Sequence, residues 1–110
     1  MTWTVDASGT QTATINTEHT LDTPTTPNAT FVLKVDTSAM VNGDVLELRV
    51  YDVVLASGAV VQEWKGTYSN IQVNGAKQSP FVAINQAGAK FTLKQIAGTG
   101  RAFPWSVLKQ

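Results

Sequence analysis

Alternating side chains between Val45 and Tyr68 constrain the fold more than any other part of this chain. Side chains two residues apart on a β-strand share one face of the sheet. In the first half of the stretch one parity is apolar and is expected to face a core, and the other is expected to face solvent or a partner. The core-facing set is Leu46, Leu48, Val50 and Val54, and the opposite set is Glu47, Arg49, Tyr51 and Val53.

The second half of the stretch predicts the returning strand of a hairpin. Ser57 and Gly58 lie between the two strand-like runs, in a loop of several residues rather than a two-residue turn. On the returning strand Trp64, Gly66 and Tyr68 share one face. A glycine between two aromatic residues indicates a β-bulge or a close approach by another backbone.

Further short runs with strand character complete an all-β pattern. They are Gln11–Thr17, Ala29–Asp36, Phe81–Ile84, Lys90–Ile96 and Phe103–Leu108. Pro104 indicates an edge position or a strand start, because proline cannot donate to a ladder. Residues 37–41 have room for one helical turn, and no segment has sustained helical periodicity. About seven or eight short strands with almost no helix predict an antiparallel β-sandwich or barrel.

The chain of 110 residues is predicted to form one domain, residues 1–110. Its first thirty residues are rich in threonine and proline, and they are expected to form either an edge of the sheet or an extended arm that reaches a neighbour. This segment lacks the basic start and apolar stretch of a signal peptide, so synthesis in a cytoplasm is expected.

Composition argues against several classes of function. The absence of cysteine excludes thiolate zinc sites and thiol catalysis. The formal net charge is zero and the basic residues are scattered, so nucleic acid is not an expected partner. No apolar run approaches the ~20 residues of a membrane-spanning helix, so no membrane partner is expected either.

No motif in the sequence predicts catalysis, a metal site or a cofactor. The one histidine, His19, is interpreted as a surface residue. Glu47 and Glu63 lie on opposite arms of the hairpin, but Arg49 and Lys65 beside them favour cross-strand charge pairing over an acid–base pair. The glycine-rich segment 97–101 lacks the G-K-[ST] ending of a phosphate-binding loop, so it is interpreted as a strand connection. We therefore expect a protein that is not an enzyme.

Two segments resemble sequences of small virion accessory proteins from tailed bacteriophages. They are Gly43–Asp52 and Phe91–Trp105, with the sequences GDVLELRVYD and FTLKQIAGTGRAFPW. The family that they most resemble is the capsid decoration, or cement, proteins. The resemblance covers less than half of the chain. It implies a jelly-roll-like sandwich that is located on the virion, binds the major capsid protein and itself as a dimer or trimer, and stabilises the assembled head.

Two alternatives stay open at this point. One is a carbohydrate-binding or receptor-adhesion module that stacks sugars on Trp64, Tyr51 or Trp105, and the other is a tail or head-fibre accessory protein. For an interface, tryptophan, tyrosine and arginine are the residue types enriched at energetic centres. The predicted interface residues are Trp3, Arg49, Tyr51, Trp64, Tyr68 and Arg101.

Overall fold

Nine strands form two antiparallel sheets in a computed structural model, which describes residues 2–25, 28–55, 57–84 and 88–110. The first sheet contains β1 (Thr4–Thr12), β3 (Ala29–Asp36), β6 (Ala76–Gln78), β7 (Val82–Ile84) and β9 (Ala102–Lys109). The second sheet contains β2 (Glu18–Asp22), β4 (Val45–Val53), β5 (Val60–Ser69) and β8 (Lys90–Ala97). The described residues include no helix that is long and apolar enough to cross a membrane.

The strand order confirms the predicted jelly-roll-like sandwich. The first sheet runs β1-β9-β3-β6, with β7 also paired to β3, and the second runs β2-β8-β4-β5. Because β6 and β7 pair with successive parts of β3, they act as two halves of one strand. Counted that way, each sheet has four strands, and their order is that of a jelly roll.

Ser79 and Pro80 cause the interruption between β6 and β7. Pro80 has no N–H to continue the ladder. The buried Ser79 bridges the gap, because its Oγ accepts the Leu33 N–H at 2.9 Å and its own N–H donates to the Leu33 carbonyl at 2.9 Å. The backbone of β3 therefore keeps its hydrogen bonds where the pairing strand is broken.

The core lies between the sheets and comes from alternate residues of β3, β4, β8 and β9. Phe31, Phe91 and Phe103 are fully buried, and the rings of Phe31 and Phe91 are 6.4 Å apart at an interplanar angle of 45°. Such tilted aromatic pairs add about 0.5–1.5 kcal/mol beyond the burial of their area. Other fully buried aliphatic side chains of the core include Leu33, Leu46, Leu48, Val50, Leu93 and Val107.

The predicted parity of β4 is correct as far as Val50 and wrong at its end. Val54, expected in the core, is 79% exposed, whereas Val53, expected outside, is buried. The strand ends at Val53, and a register shift against β5 lies between Val50 and Tyr51. Glu63 is the extra residue of this bulge, so the bulge predicted near Gly66 lies three residues earlier.

The N-terminal segment differs most from the sequence prediction. A strand was expected at Gln11–Thr17, but β1 begins at Thr4, and a turn follows it before β2. β1 has no apolar alternation and becomes a strand by pairing with β9 along its length. It forms one edge of the first sheet, and β2 forms one edge of the second.

Two smaller expectations are also corrected. Residues 37–41 form a turn closed by Met40 N–H to the Thr37 carbonyl, not a helical turn. Pro104 lies in β9, which is an inner strand between β1 and β3. The β3 ladder begins only at Trp105, so the proline is at a point where β9 has one neighbour.

We predict that Leu48→Ala lowers the free energy of unfolding by about 2–5 kcal/mol, because it opens a cavity between the sheets. Val73→Ala is the matched control, since Val73 is 95% exposed, and it should change the value by less than about 0.5 kcal/mol. Urea unfolding measures both variants. Equal losses would contradict the assignment of the core.

Candidate interaction surfaces

An apolar patch covers part of the outer face of the first sheet. The outer patch, as we define it, consists of Trp3, Val5, Val32, Phe81 and Leu108. Val5 pairs with Leu108 across β1 and β9, and Leu108 pairs with Val32 across β9 and β3, so the three lie in one row. The Trp3 and Phe81 rings are 5.5 Å apart at 37°.

The outer patch combines exposed and buried apolar groups around a shallow groove. Phe81 is 65% exposed and Val5 58%, while Val32 is 2% exposed although it faces away from the core. A groove of about 200 Å³ is lined by the patch residues Trp3, Val32, Phe81 and Leu108 and by the polar side chains of Lys34 and Gln78. Contiguous exposed apolar surface with a polar rim is typical of interaction sites.

The outer face of the second sheet carries a polar cluster centred on Glu18. The Glu18 network, as we define it, consists of Glu18, Glu47, Arg49, Tyr51 and Thr92. The Glu18 carboxylate accepts hydrogen bonds from Arg49 at 3.1 Å, from the Tyr51 hydroxyl at 2.6 Å and from the Thr92 hydroxyl at 2.6 Å. Arg49 also donates to Glu47 at 2.6 Å. Strands β2, β8 and β4 supply these side chains as neighbours.

Hydrogen bonding and charge stabilise the ionised form of Glu18. Burial acts to raise the pKa of Glu18, but the bonds from Thr92 and Tyr51 and the charge of Arg49 outweigh it, so the pKa is lowered. Burial and the bond to Glu18 raise the pKa of Tyr51, which keeps its proton. The Lys90 ammonium lies 4.8 Å from the centre of the Tyr51 ring. Most charged groups of the Glu18 network therefore pair with one another within the molecule.

The charge pairing predicted on the hairpin is present for Glu47, whose carboxylate is 2.6 Å from Arg49 and 3.7 Å from Lys65. Glu63 is in the bulge, away from this pair. Burial and the nearby Asp52 raise the pKa of Glu63, so its ionised form is disfavoured.

Trp64 and Tyr68 are half-buried and pack against the core from β5. The close approach predicted at Gly66 is made by side chains, because a Cβ there would lie 2.7 Å from the Trp64 ring and 3.0 Å from the Tyr68 hydroxyl. The Lys77 ammonium lies 5.3 Å from the centre of the Tyr68 ring.

Arg101 is paired within the molecule. Its Nε donates to the buried Asp44 carboxylate at 2.8 Å, and the Val41 N–H donates to the same carboxylate at 3.0 Å. Burial acts to raise the pKa of Asp44, but these bonds and the Arg101 charge lower it. Gly98, at φ +89°, has no room for a Cβ beside Asp44. The glycine-rich segment therefore folds around a carboxylate, as a strand connection.

The six predicted interface residues do not form one surface. Arg49 and Tyr51 meet in the Glu18 network, and Trp64 and Tyr68 meet over Gly66. Trp3 is on the outer face of the other sheet, and Arg101 is in the loop between β8 and β9. His19 accepts a hydrogen bond from the Thr14 N–H at 3.1 Å. Trp105 packs against the core, with its ring over Gly9.

Sequence reasoning missed six residues of these two surfaces: Val5, Val32, Phe81, Leu108, Glu18 and Thr92. The exposure of Phe81 could have been predicted from alternation along this short strand. Val82 and Ile84 share one face and are buried, so Phe81 belongs to the opposite, outward face. Glu18 and Thr92 are 74 positions apart, and their contact depends on the strand order of the second sheet. Within the described parts of the chain, no three histidine, cysteine, aspartate or glutamate side chains come together as a metal site.

We predict that Glu18→Ala lowers the free energy of unfolding at pH 7 by about 1–3 kcal/mol, because it leaves donors on the half-buried Arg49 and Tyr51 and on the buried Thr92 without their acceptor. Glu63→Ala is the control, since the fold disfavours its charge, and it should cost less than about 0.5 kcal/mol. Urea unfolding compares them, and a Glu18 variant as stable as the control would contradict the network's role.

Comparisons of this chain with protein-family models, with curated proteins and with solved structures found no significant match.

Proposed function

We propose that this chain is a non-enzymatic structural protein of a tailed-bacteriophage virion, and specifically a capsid decoration protein that binds the assembled head and stabilises it. The observation that carries the proposal is the outer patch, where the half-buried Trp3, the exposed Phe81 and a row of aliphatic side chains lie on the outer face of the first sheet. The proposal also includes the major capsid protein and further copies of this chain as partners.

The resemblance of two segments to decoration proteins supports the proposal together with the strand order. Those segments, Gly43–Asp52 and Phe91–Trp105, include most of β4, most of β8 and the start of β9. The jelly-roll order of the strands agrees with the fold that the resemblance implies. A short, closely packed sandwich also suits a body that must stay rigid on a shell.

We assign the shell-facing side to the outer patch rather than to the Glu18 network. Phe81 and Trp3 are large apolar groups next to a groove, the type of anchor that dominates binding energy. The opposite face carries charges that already pair within the molecule. Binding a partner through these charges would remove them from water, which costs free energy. Their ion pairs already exist in the free protein, so these pairs add no binding energy that could offset the cost.

Symmetry makes modest contacts sufficient for a decoration protein. A shell repeats the same coat surface many times, and an oligomer of this chain would engage several copies at once. The overall affinity can then exceed that of a single outer patch by orders of magnitude.

The three aromatic rings named for sugar stacking already contact other groups of this chain. Lys90 lies over Tyr51, Trp64 covers Gly66, and Trp105 covers Gly9. No observation favours that alternative over the outer patch, so we propose one function.

We predict that Phe81→Ser weakens binding to purified heads of the encoding phage at least about tenfold, because a central anchor is typically worth more than about 1.4 kcal/mol. Co-sedimentation of the labelled protein with the heads, from which any native copies have been stripped, measures the affinity.

Val73→Ser is the matched control, because Val73 is an exposed valine outside the outer patch, and it should leave the affinity within about twofold. Thermal unfolding of both variants checks that they are folded. Equal binding by the two variants would reject the outer patch as the shell-facing surface, and absence of binding by the unmodified protein would reject the proposed function.

A further inference from the structure

Two carboxyl groups meet at one open side of the sandwich, on the edge strands of the two sheets. Asp6 is on β1 and Asp22 is at the end of β2, and their side chains are hydrogen-bonded to each other. The Lys109 ammonium, from β9, is 3.1 Å from Asp6 Oδ1. A hydrogen bond between two carboxyl groups requires a proton on one of them.

Irregular pairing positions both acids. Asp6 is the extra residue of a bulge in β1, between the pairs Val5 with Leu108 and Ala7 with Val107. The register of β2 against β8 shifts just before Asp22. Bulges re-aim side chains at strand edges, and here they bring two acids from different sheets together.

The buried Oδ2 atom of Asp22 has no hydrogen-bond donor among the described residues. The Thr23 N–H acts to lower the pKa of Asp22, and the Lys109 ammonium is the cation beside Asp6. A single proton shared by the two carboxyl groups therefore provides the hydrogen bond that joins them.

We propose that Asp6 and Asp22 form a proton-dependent clasp, which holds the N-terminal end of β1 against the end of β2 while one proton is shared and loosens that edge when the proton is lost. The clasp joins two edge strands that belong to different sheets. Few other contacts link β1 directly to β2, so the shared proton controls how firmly the two edges are held.

The surroundings assign the titration to Asp22. Burial and the neighbouring Asp6 raise the pKa of Asp22 to about 7, and the bond from Asp22 together with Lys109 lowers the pKa of Asp6. Asp22 is thus the proton donor and Asp6 the charged acceptor. Two other charged groups lie on β2 and on the neighbouring β8. Lys90 of β8 lies over the Tyr51 ring, and Glu18 of β2 accepts a hydrogen bond from Arg49, so both interact on the outer face of the second sheet.

The sign of the pH dependence follows from linkage. The folded state keeps the Asp22 proton up to about pH 7, whereas the unfolded chain loses it near 3.8, the ordinary pKa of an aspartate side chain. The folded state therefore binds more protons between these values, and stability falls as the pH rises through this window. Above about pH 7 both states are ionised, and the contribution of this group no longer changes.

The test compares the unmodified protein with Asp22→Asn, whose amide donates to Asp6 at every pH. Melting temperatures are measured from pH 5 to pH 8. We expect the unmodified protein to lose about 4 °C or more relative to the variant over this range. The comparison cancels the titration of Glu63, which both proteins share. A constant difference between the two profiles would overturn the clasp.

Asp36→Asn is the matched control, because Asp36 is an exposed aspartate whose pKa is lowered by hydrogen bonds from Ser38. Its difference from the unmodified protein should stay constant above pH 5. Hydrogen exchange gives the local readout: at pH 8 the amides of residues 5–7 should exchange faster in the unmodified protein than in Asp22→Asn, and at pH 5 equally fast.

Carboxyl carbon NMR of the unmodified protein keeps the proposal testable if the Asp22→Asn variant does not fold. The Asp22 resonance should titrate with a midpoint near 7. A midpoint below about 5, near the ordinary range of aspartate, would overturn the proposal.

Discussion

The burial of three phenylalanines between the sheets sets the direction of the other side chains. Phe31 and Phe91 face inward from opposite sheets, so their neighbours Val32 and Thr92 must face outward. Val32 then becomes part of the outer patch, and Thr92 becomes part of the Glu18 network. A slip of one residue in either strand would exchange core and surface, so the core that stabilises the fold also defines its two faces.

The two faces differ in chemistry. On the first sheet, Phe81 and Val5 are more than half exposed and have a groove beside them. On the second sheet, a carboxylate, a guanidinium and a hydroxyl already bond one another. A partner can bury the first face with little loss of existing polar contacts, which is why the proposed function is built on that face.

Local pattern predicted the parts of the fold that bury apolar side chains, and tertiary pairing determined the rest. The parity of β4 and the inward set Phe103, Trp105 and Val107 follow from alternation. In contrast, β1 is polar, and it is a strand because β9 pairs with it. The contacts of Glu18 and of Asp6 depend on strand order and bulges, which alternation within a single segment does not contain.

The most direct test of the proposed function is quantitative mass spectrometry of purified virions of the encoding phage. It measures the copy number of this chain relative to the major coat protein. Decoration predicts a ratio near one, or a simple fraction of it, because the binding surface repeats with the shell. A handful of copies per particle would place the chain at a tail, vertex or fibre and contradict decoration, and complete absence from the particles would contradict a virion role altogether.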